Sequence, residues 1–329
     1  MPSPIQWSVK LVFVACLSAS CGTARADATP SHGFVVTPDG LKLHYVVMGR
    51  GTPVVLIHGA GGSAEGSWFA NGIAQALANN HRIVAIDCRG HGLSDNPLGG
   101  AMPNRTMADD VIGLMDHLDI ARAHVHGYSM GGAIAEQILA RYPDRLITVA
   151  FGGWGIPEVD PEWKAKVPMD KPGADPKEAE LYKRFYARLA ERNKAADAGK
   201  ASEQGRPKRR GEGRDDGSRP PIDLTKVTIP VLAINGEFDQ PNARTHRMQR
   251  ELADFKSVVL PGKSHLSAIA AESIPPTYIE ALREFIDSHG HAQVSQRRRI
   301  SGLQSSVWLA WRWLQPRCSL PRRSFQSEA

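Results

Sequence analysis

The chain has 329 residues, 42% of them hydrophobic, and a net charge of +6 from 40 Lys and Arg residues against 34 Asp and Glu. This composition supports a large buried core and excludes a small disulfide-stabilised scaffold; the basic excess lies mainly in 200–219 and 297–323, not across a nucleic-acid-binding face. The four cysteines lack zinc-ligand spacing and the sequence has no phosphate-binding loop motif, so we expect neither a metal nor another cofactor.

Residues 1–26 have the pattern of a signal peptide. Lys10 precedes a short apolar run, 11–17, and small residues follow it as far as Ala26. We therefore predict cleavage after Ala26 and an exported protein, periplasmic or extracellular. An alternative is lipidation at Cys21, although Ser18 stands where a lipobox prefers leucine.

The next hundred residues alternate strand and helix patterns. A hairpin is predicted over 33–48, with its turn at Pro38-Asp39-Gly40. Continuous apolar runs predict buried strands, and helical spacing separates them; the strands are 53–57, 82–87 and 123–126, and the helices are 68–78 and 107–118. In the second helix Met107, Val111, Leu114 and Leu118 share a face, with Asp109, Asp110 and Asp116 off it. Such alternation is typical of a parallel sheet whose functional loops lie at the carboxyl ends of the strands.

The segment 124–132 predicts a nucleophile elbow. A strand ends at His126, Gly127 and Gly131 bracket Ser129 in a tight turn, and a helix follows as far as residue 142. This arrangement lifts a serine hydroxyl to the top of a sheet and points the amide end of a helix at the reaction site. Ser129 is therefore the candidate nucleophile.

The second half of the chain interrupts this pattern once. A strand over 147–153 precedes a proline-rich and charged stretch, 154–221, with one helix at 178–194 and a polar, glycine-rich segment at 199–220. The core pattern then resumes, with strands at 228–234 and 257–260 and helices at 243–252 and 276–288.

Three motifs together resemble the α/β-hydrolase fold: His58-Gly59 after a buried strand, the segment 87–95 after the next, and Gly127-Tyr128-Ser129-Met130-Gly131. The resemblance covers about 33–153 and 222–288. It implies a mostly parallel central sheet flanked by helices, with a short helical cap inserted over the active site. The expected domains are a signal peptide (1–26), a core in two parts (27–153 and 222–290), a partly flexible cap (154–221) and a basic, disordered tail (291–329).

The resemblance also supplies a Ser-acid-His order. Ser129 is followed by Asp239 and His265, each in a loop after a predicted strand, so His265 would act as base and Asp239 would orient it. Glu237 and Asp160 remain alternative acids. Ser264 departs from the family pattern, which usually has glycine there. Metal-free acyl chemistry of this kind needs an oxyanion hole, which the family pattern places at two backbone N–H groups, those of Ala60 and Met130.

Other polar and aromatic residues near these motifs are assigned supporting roles. His58 is expected to brace its loop, and loop-fixing is also expected for Asp87, Arg89 and His91. His124 and His126 are interpreted as packing or sheet-edge residues. Pocket-lining is predicted for Tyr128 and Trp154, and a place on the inner face of the cap for Trp163, Tyr182 and Phe185.

The sequence thus predicts a serine hydrolase that cleaves a carboxylic ester or related acyl bond of a small molecule. Lactone hydrolysis, carbon–carbon bond hydrolysis and perhydrolysis are alternatives on the same residues. Ser129 at the nucleophile position disfavours dehalogenases and epoxide hydrolases that use an aspartate nucleophile. A binding protein without catalysis is a further alternative. Membrane contact is expected only through lipidated Cys21 or the basic tail, whose tryptophans lie among arginines; the sequence assigns no oligomeric state.

Overall fold

A computed structural model describes residues 29–97, 103–162, 180, 181, 183, 184, 187, 222–239 and 242–290. The predicted signal peptide with Cys21, the tail from 291 and the aromatic residues Trp163, Tyr182 and Phe185 lie outside this part of the chain. Within the predicted helix 178–194, the described residues are helical.

Eight strands form a single sheet in the order β1-β2-β4-β3-β5-β6-β7-β8. The β1–β2 and β2–β4 pairs are antiparallel, and all other neighbours are parallel. The strands are β1 Ser31–Val36, β2 Lys42–Met48, β3 Thr52–Ile57, β4 His81–Ile86, β5 Ala123–Tyr128, β6 Leu146–Gly152, β7 Val231–Gly236 and β8 Phe255–Leu260. The predicted fold class, a mostly parallel sheet flanked by helices, is confirmed.

Helices cover both faces of this sheet. Neighbouring residues of β3 alternate between the two cores, with Val55 and Ile57 on one face and Val54 and Leu56 on the other. Each such side chain contributes about 2 kcal/mol when fully buried. The helices are α1 Ile73–Ala78, α2 Asn104–His117, α3 Met130–Arg141, α4 Asn242–Glu251 and α5 over 276–290. The first face packs against α2, α3 and α4, and the second against α1 and α5.

Two local features differ from the sequence predictions. The helix predicted over 68–78 is broken, because Glu65–Phe69 forms a π-helical turn and Gly72, at φ 83°, separates it from α1. Asp110, predicted to lie off the apolar face of α2, is buried instead. Arg89 makes this burial possible, since its guanidinium meets both carboxylate oxygens at 2.6 and 2.7 Å.

The long insertion leaves and re-enters the core beside α4. The buried Arg247 guanidinium donates to the carbonyl oxygens of Pro157 at 3.3 Å and Ile222 at 2.8 Å. Glu158 adds an ion pair to Arg250 at 2.9 Å. One helix therefore holds both ends of the insertion.

None of the helices in the described ranges is long and apolar enough to cross a membrane.

Candidate active site

The turn after β5 has the geometry of a nucleophile elbow. Ser129 has φ 54° and ψ −112°, a conformation that a side-chain-bearing residue rarely adopts and that is associated with functional sites. The flanking glycines are sterically required: a Cβ on Gly127 would collide with the carbonyl of Gly131, and one on Gly131 with the carbonyl of Ile57. The elbow therefore depends on close backbone contact between β3, β5 and α3.

The structure brings the three predicted side chains together. Ser129 Oγ lies 2.9 Å from His265 Nε2, and His265 Nδ1 lies 2.9 and 3.0 Å from the two oxygens of Asp239. Because a carboxylate accepts at Nδ1, that nitrogen carries the ring proton and Nε2 is left to accept from the serine hydroxyl. This is the arrangement that a serine nucleophile requires.

The carboxylate of Asp239 is held in a buried turn. Its side chain is 3% exposed, against 28% for His265, so the acid is enclosed while the imidazole reaches the surface of the core. The Asp239 amide donates to the carbonyl of Gly236 at 3.0 Å, and the Phe238 amide donates to Lys263 at 2.9 Å. The first bond closes the turn that carries the acid, and the second joins this turn to the loop that carries the histidine.

The two alternative acids have other partners. Glu237 Oε2 accepts from the amide of Gly262 at 2.8 Å, and Asp160 Oδ1 accepts from the amide of Glu162 at 2.8 Å. Glu237 therefore links its loop to the turn after β8, and Asp160 stabilises a local turn. Asp239 is the acid that contacts the imidazole of His265.

Ser264, where the family pattern usually has glycine, fits a turn of its own. The residue is buried, and its amide donates to Ser267 Oγ at 2.9 Å. The turn accommodates the side chain of Ser264 because the side chain beside it, that of Ser267, is small and polar.

The two predicted oxyanion donors lie in segments that meet at Ser129. Met130 directly follows the nucleophile and opens α3, so its N–H belongs to the first turn, where helix amides lack intrahelical acceptors. Ala60 is exposed in the loop after β3. Its neighbour Gly59 approaches the nucleophile closely, since a Cβ built there would lie 3.4 Å from Ser129 Cβ.

The imidazole of His58 braces this loop. Its Nε2 accepts from the amide of Cys88 at 3.0 Å, so Nδ1 is protonated and donates to the carbonyl of Gly59 at 2.8 Å. The ring is fully buried and packs against His91, with centroids 5.0 Å apart. His58 thus links the loops after β3 and β4.

The motif after β4 is held by its own polar side chains. Asp87 accepts from the amides of Ala64 at 2.6 Å and Leu93 at 2.9 Å, and from His44 Nδ1 at 2.8 Å. His91 Nδ1 donates to the carbonyl of Arg89 at 3.0 Å. These contacts fix the loop, as the sequence predicted.

The histidines of β5 point into the protein interior, and burial lowers their pKa. The pKa of His124 falls to about 3, and that of His126 to about 4, because desolvation disfavours the charged ring. His124 Nδ1 hydrogen-bonds Thr148 Oγ1 at 2.8 Å, and His126 is held by the carbonyl of Ala150 at 3.0 Å and the hydroxyl of Tyr278 at 2.9 Å. Both are neutral packing residues.

Two side chains assigned to the pocket have structural contacts that the sequence did not indicate. Trp154 donates from Nε1 to Glu136 at 2.9 Å, and its main chain pairs with the amide of Asn235. Tyr128 is 3% exposed, and its hydroxyl donates to the carbonyl of His265 at 2.6 Å. Sequence reasoning missed this bond, because its two residues are 137 positions apart and no local pattern joins them.

The described residues contain no cluster of three or more His, Cys, Asp or Glu side chains arranged to hold a metal ion. What the site offers is a serine hydroxyl, an imidazole and a carboxylate in one hydrogen-bonded series, at the carboxyl ends of three parallel strands.

Comparison with known proteins shows what this chain is similar to. A family model described as alpha/beta hydrolase fold matches residues 52–206. A dihydrolipoyllysine-residue acetyltransferase component of an acetoin cleaving system from Pseudomonas putida is 40% identical over 101 residues, which are 31% of this chain and 26% of that protein. A 2-hydroxy-6-oxononadienedioate/2-hydroxy-6-oxononatrienedioate hydrolase from Burkholderia vietnamiensis is 36% identical over 128 residues, 37% of this chain and 44% of that protein.

The match therefore spans only about a quarter to under a half of these curated relatives. Among solved structures, a thermophilic esterase from Thermogutta terrifontis superposes with a TM-score of 0.56 at 24% identity, covering 80% of this chain and 100% of that one. This likeness concerns the fold. The order of the sheet and these matches agree with the resemblance seen in the sequence, and the chain has the α/β-hydrolase fold.

Proposed function

We propose that the protein is a serine hydrolase that cleaves a carboxylic ester or related acyl bond through an acyl-enzyme. The observation that carries the proposal is the continuous hydrogen-bonded series from Ser129 Oγ through His265 to Asp239, with both links at 2.9 Å. The match to the alpha/beta hydrolase fold model over residues 52–206 supports hydrolase chemistry of this kind.

In the first half of the reaction, Ser129 Oγ attacks the acyl carbon while its proton passes to His265 Nε2. The resulting imidazolium is stabilised by Asp239, and the oxyanion by the N–H groups of Ala60 and Met130. The imidazolium then protonates the leaving alcohol as the bond to the acyl carbon breaks.

In the second half, water attacks the acyl-enzyme. His265 Nε2 takes a proton from the water and returns it to Ser129 Oγ as the carboxylic acid leaves. The nucleophile, base and acid are all restored, and no other reactant is consumed.

A carbon leaving group is a second candidate, and the named relative from Burkholderia vietnamiensis favours it. That relative's printed substrate is an oxo-dienedioate, which contains a ketone and no ester. The same serine and histidine would serve if the substrate's carbon fragment left as a stabilised carbanion. Lactones and perhydrolysis remain further alternatives, because each needs the same acyl-enzyme geometry.

The test is turnover of a panel of p-nitrophenyl esters of increasing acyl length, beside a lactone and a diketone. We expect ester hydrolysis by the full chain and a loss of at least about 10³-fold in Ser129→Ala, because the covalent intermediate needs Oγ. Ser288→Ala is the matched control: its hydroxyl bonds the carbonyl of Phe285 on α5, and its removal should leave turnover unchanged.

Covalent labelling separates an enzyme from a binding protein that only keeps the fold. A fluorophosphonate should label Ser129 in the folded wild type and leave Ser129→Ala unlabelled. Folded wild-type protein that neither labels nor hydrolyses any member of the panel would contradict the proposed function and favour the binding protein.

We further propose export to the periplasm or the cell exterior, supported by the pattern of residues 1–26. Mass spectrometry of protein from the exporting host should find an N-terminus at Asp27. A lipid-modified N-terminus at Cys21 would instead support membrane anchoring.

A further inference from the structure

Tyr128 lies directly before the nucleophile and contacts the residue that activates it. Its hydroxyl donates to the main-chain carbonyl of His265 at 2.6 Å, and its ring packs against the His265 imidazole with centroids 5.5 Å apart. One side chain therefore touches both the peptide and the ring of His265.

Glycines from two separate segments form a slot for this ring. A Cβ on Gly152 or Gly153 would meet ring atoms of Tyr128 at 2.6 and 2.8 Å, and one on Gly59 would lie 3.8 Å from Cδ1. Gly59 precedes the predicted oxyanion donor, and Gly153 borders His265, whose Cε1 lies 3.0 Å from a Cβ built there. The ring is thus fixed between the loop after β3 and the end of β6.

The loop that carries His265 is tied down at several points along its length. Ser264 is held through Ser267 Oγ at 2.9 Å, and the carbonyl of Ile269 accepts from Asn71 at 3.1 Å. These bonds hold the residues before and after the base. The Tyr128 hydroxyl holds the peptide of His265 itself.

We propose that Tyr128 is a positioning residue. Its hydrogen bond to the carbonyl of His265 holds the main chain of His265 in the position at which Nε2 lies 2.9 Å from Ser129 Oγ. The proposal rests on the proposed function and refines it. A fixed ring and a short bond to the peptide carbonyl leave the imidazole little freedom to move away from the hydroxyl. Displacements near 1 Å at a reacting group cost about 10²-fold in rate, so a modest loss of restraint is measurable.

The contrasting explanation is that the hydroxyl only satisfies a buried polar atom. In that case its removal lowers stability and leaves each folded molecule fully active. The two explanations differ in kcat per active site.

The experiment compares Tyr128→Phe with Tyr142→Phe. Both remove one hydrogen-bonded phenol; that of Tyr142 donates to Asp109 at 2.7 Å, away from the site. Active sites are counted by complete fluorophosphonate labelling, and kcat and KM are measured with the best ester of the panel. We expect kcat per site to fall about tenfold in Tyr128→Phe with KM unchanged, and no change in Tyr142→Phe.

Restoring a hydrogen-bond donor at position 128 provides a second test. p-Aminophenylalanine at position 128 places an N–H donor where the phenol was, and it should restore kcat. A Tyr128→Phe protein with kcat per site within twofold of wild type would overturn the proposal, whatever its thermal stability. If Tyr128→Phe does not fold, the substitution is repeated in a protein that also carries Gly113→Ala. The second substitution should raise the stability of α2, because its methyl group enters open space.

A readout without turnover keeps this test separate from that of the proposed function. The proton that His265 Nδ1 shares with Asp239 gives an NMR signal in the resting protein. Loss or broadening of this signal in Tyr128→Phe, but not in Tyr142→Phe, supports positioning even in a wild type that hydrolyses no ester. An unchanged signal counts against it.

Discussion

Two buried histidines, His124 and His126, lie two residues apart on β5 and are uncharged in the folded state. Burial lowers their pKa to about 3 and about 4. In the unfolded chain the same rings have a pKa near 6.5, so between these values the unfolded state binds protons that the folded state does not. Stability therefore rises with pH across this window and is lost as the pH falls from about 6.5 towards about 3.

This difference predicts the acid sensitivity of one variant. At pH 5 each such ring costs the folded state about 2 kcal/mol relative to pH 7. His124→Gln retains a polar partner for Thr148 and cannot titrate. We expect urea denaturation to show a loss of stability between pH 7 and pH 5 that is smaller by about 2 kcal/mol in the variant than in wild type.

The control for this prediction is His117→Gln, whose ring is exposed at the end of α2. Its loss of stability between the two pH values should match that of wild type. Equal losses in His124→Gln and wild type would show that the ring is not held neutral.

At the residue scale, sequence reasoning identified which side chains the structure brings together, but not what surrounds them. Ser129, Asp239 and His265 follow from motif order, because each lies in a loop after a strand at the same edge of a parallel sheet. The role of Tyr128 does not follow, since the direction of its ring depends on glycines at 59, 152 and 153 that meet only after folding.

At the scale of elements, the elbow is a junction in which α3 and β3 approach without side chains between them. Gly131→Ala would place a methyl group against the carbonyl of Ile57. We expect the substitution to cost about 3 kcal/mol and to lower turnover, because α3 must shift and carry the predicted donor Met130 with it. Chemical denaturation and ester hydrolysis measure the two effects.

Gly113→Ala is the opposite case and serves as its comparison. Gly113 is exposed in α2 with no atom within 4 Å of a Cβ built there, so alanine should stabilise the protein by about 1 kcal/mol. If the two glycines responded alike, steric contact at the elbow would not be the reason for Gly131.

Two helical segments show where apolar periodicity fails to predict local structure. Apolar spacing over 68–78 predicts one helix, but it does not report the positive φ of Gly72, which separates the π-helical turn from α1. Spacing also placed Asp110 towards solvent. Its burial depends on Arg89, twenty-one residues earlier in the chain, and such a pairing has no local pattern.

At the scale of the whole molecule, the described residues from 29 to 290 include all eight strands and helices on both faces of the sheet. We therefore expect a chain restricted to 29–290 to retain the thermal midpoint of the full chain within about 2 °C, and to retain ester turnover. Differential scanning calorimetry checks the first expectation. A midpoint lower by more than about 5 °C would show that residues outside this range stabilise the core.

Deletion of residues 291–329 alone tests the basic tail. If these residues contact membranes, the full chain should bind anionic vesicles and the chain without the tail should not. Equal binding would remove the tail from consideration.

The mostly parallel sheet was predictable because three motifs together resemble the α/β-hydrolase fold. The segment 154–221 was less informative, since it carries one helix pattern, at 178–194, and a polar remainder. A Ser-acid-His order specifies reacting groups and carries no information about the substrate, so the sequence indicated no substrate preference.

Arg247 holds the two ends of the insertion close together on α4. Since one guanidinium fastens the departing carbonyl of Pro157 and the returning carbonyl of Ile222, the two junctions are neighbours on a rigid helix. We therefore expect that segments of other lengths could replace the residues between these junctions without displacing the strands on either side.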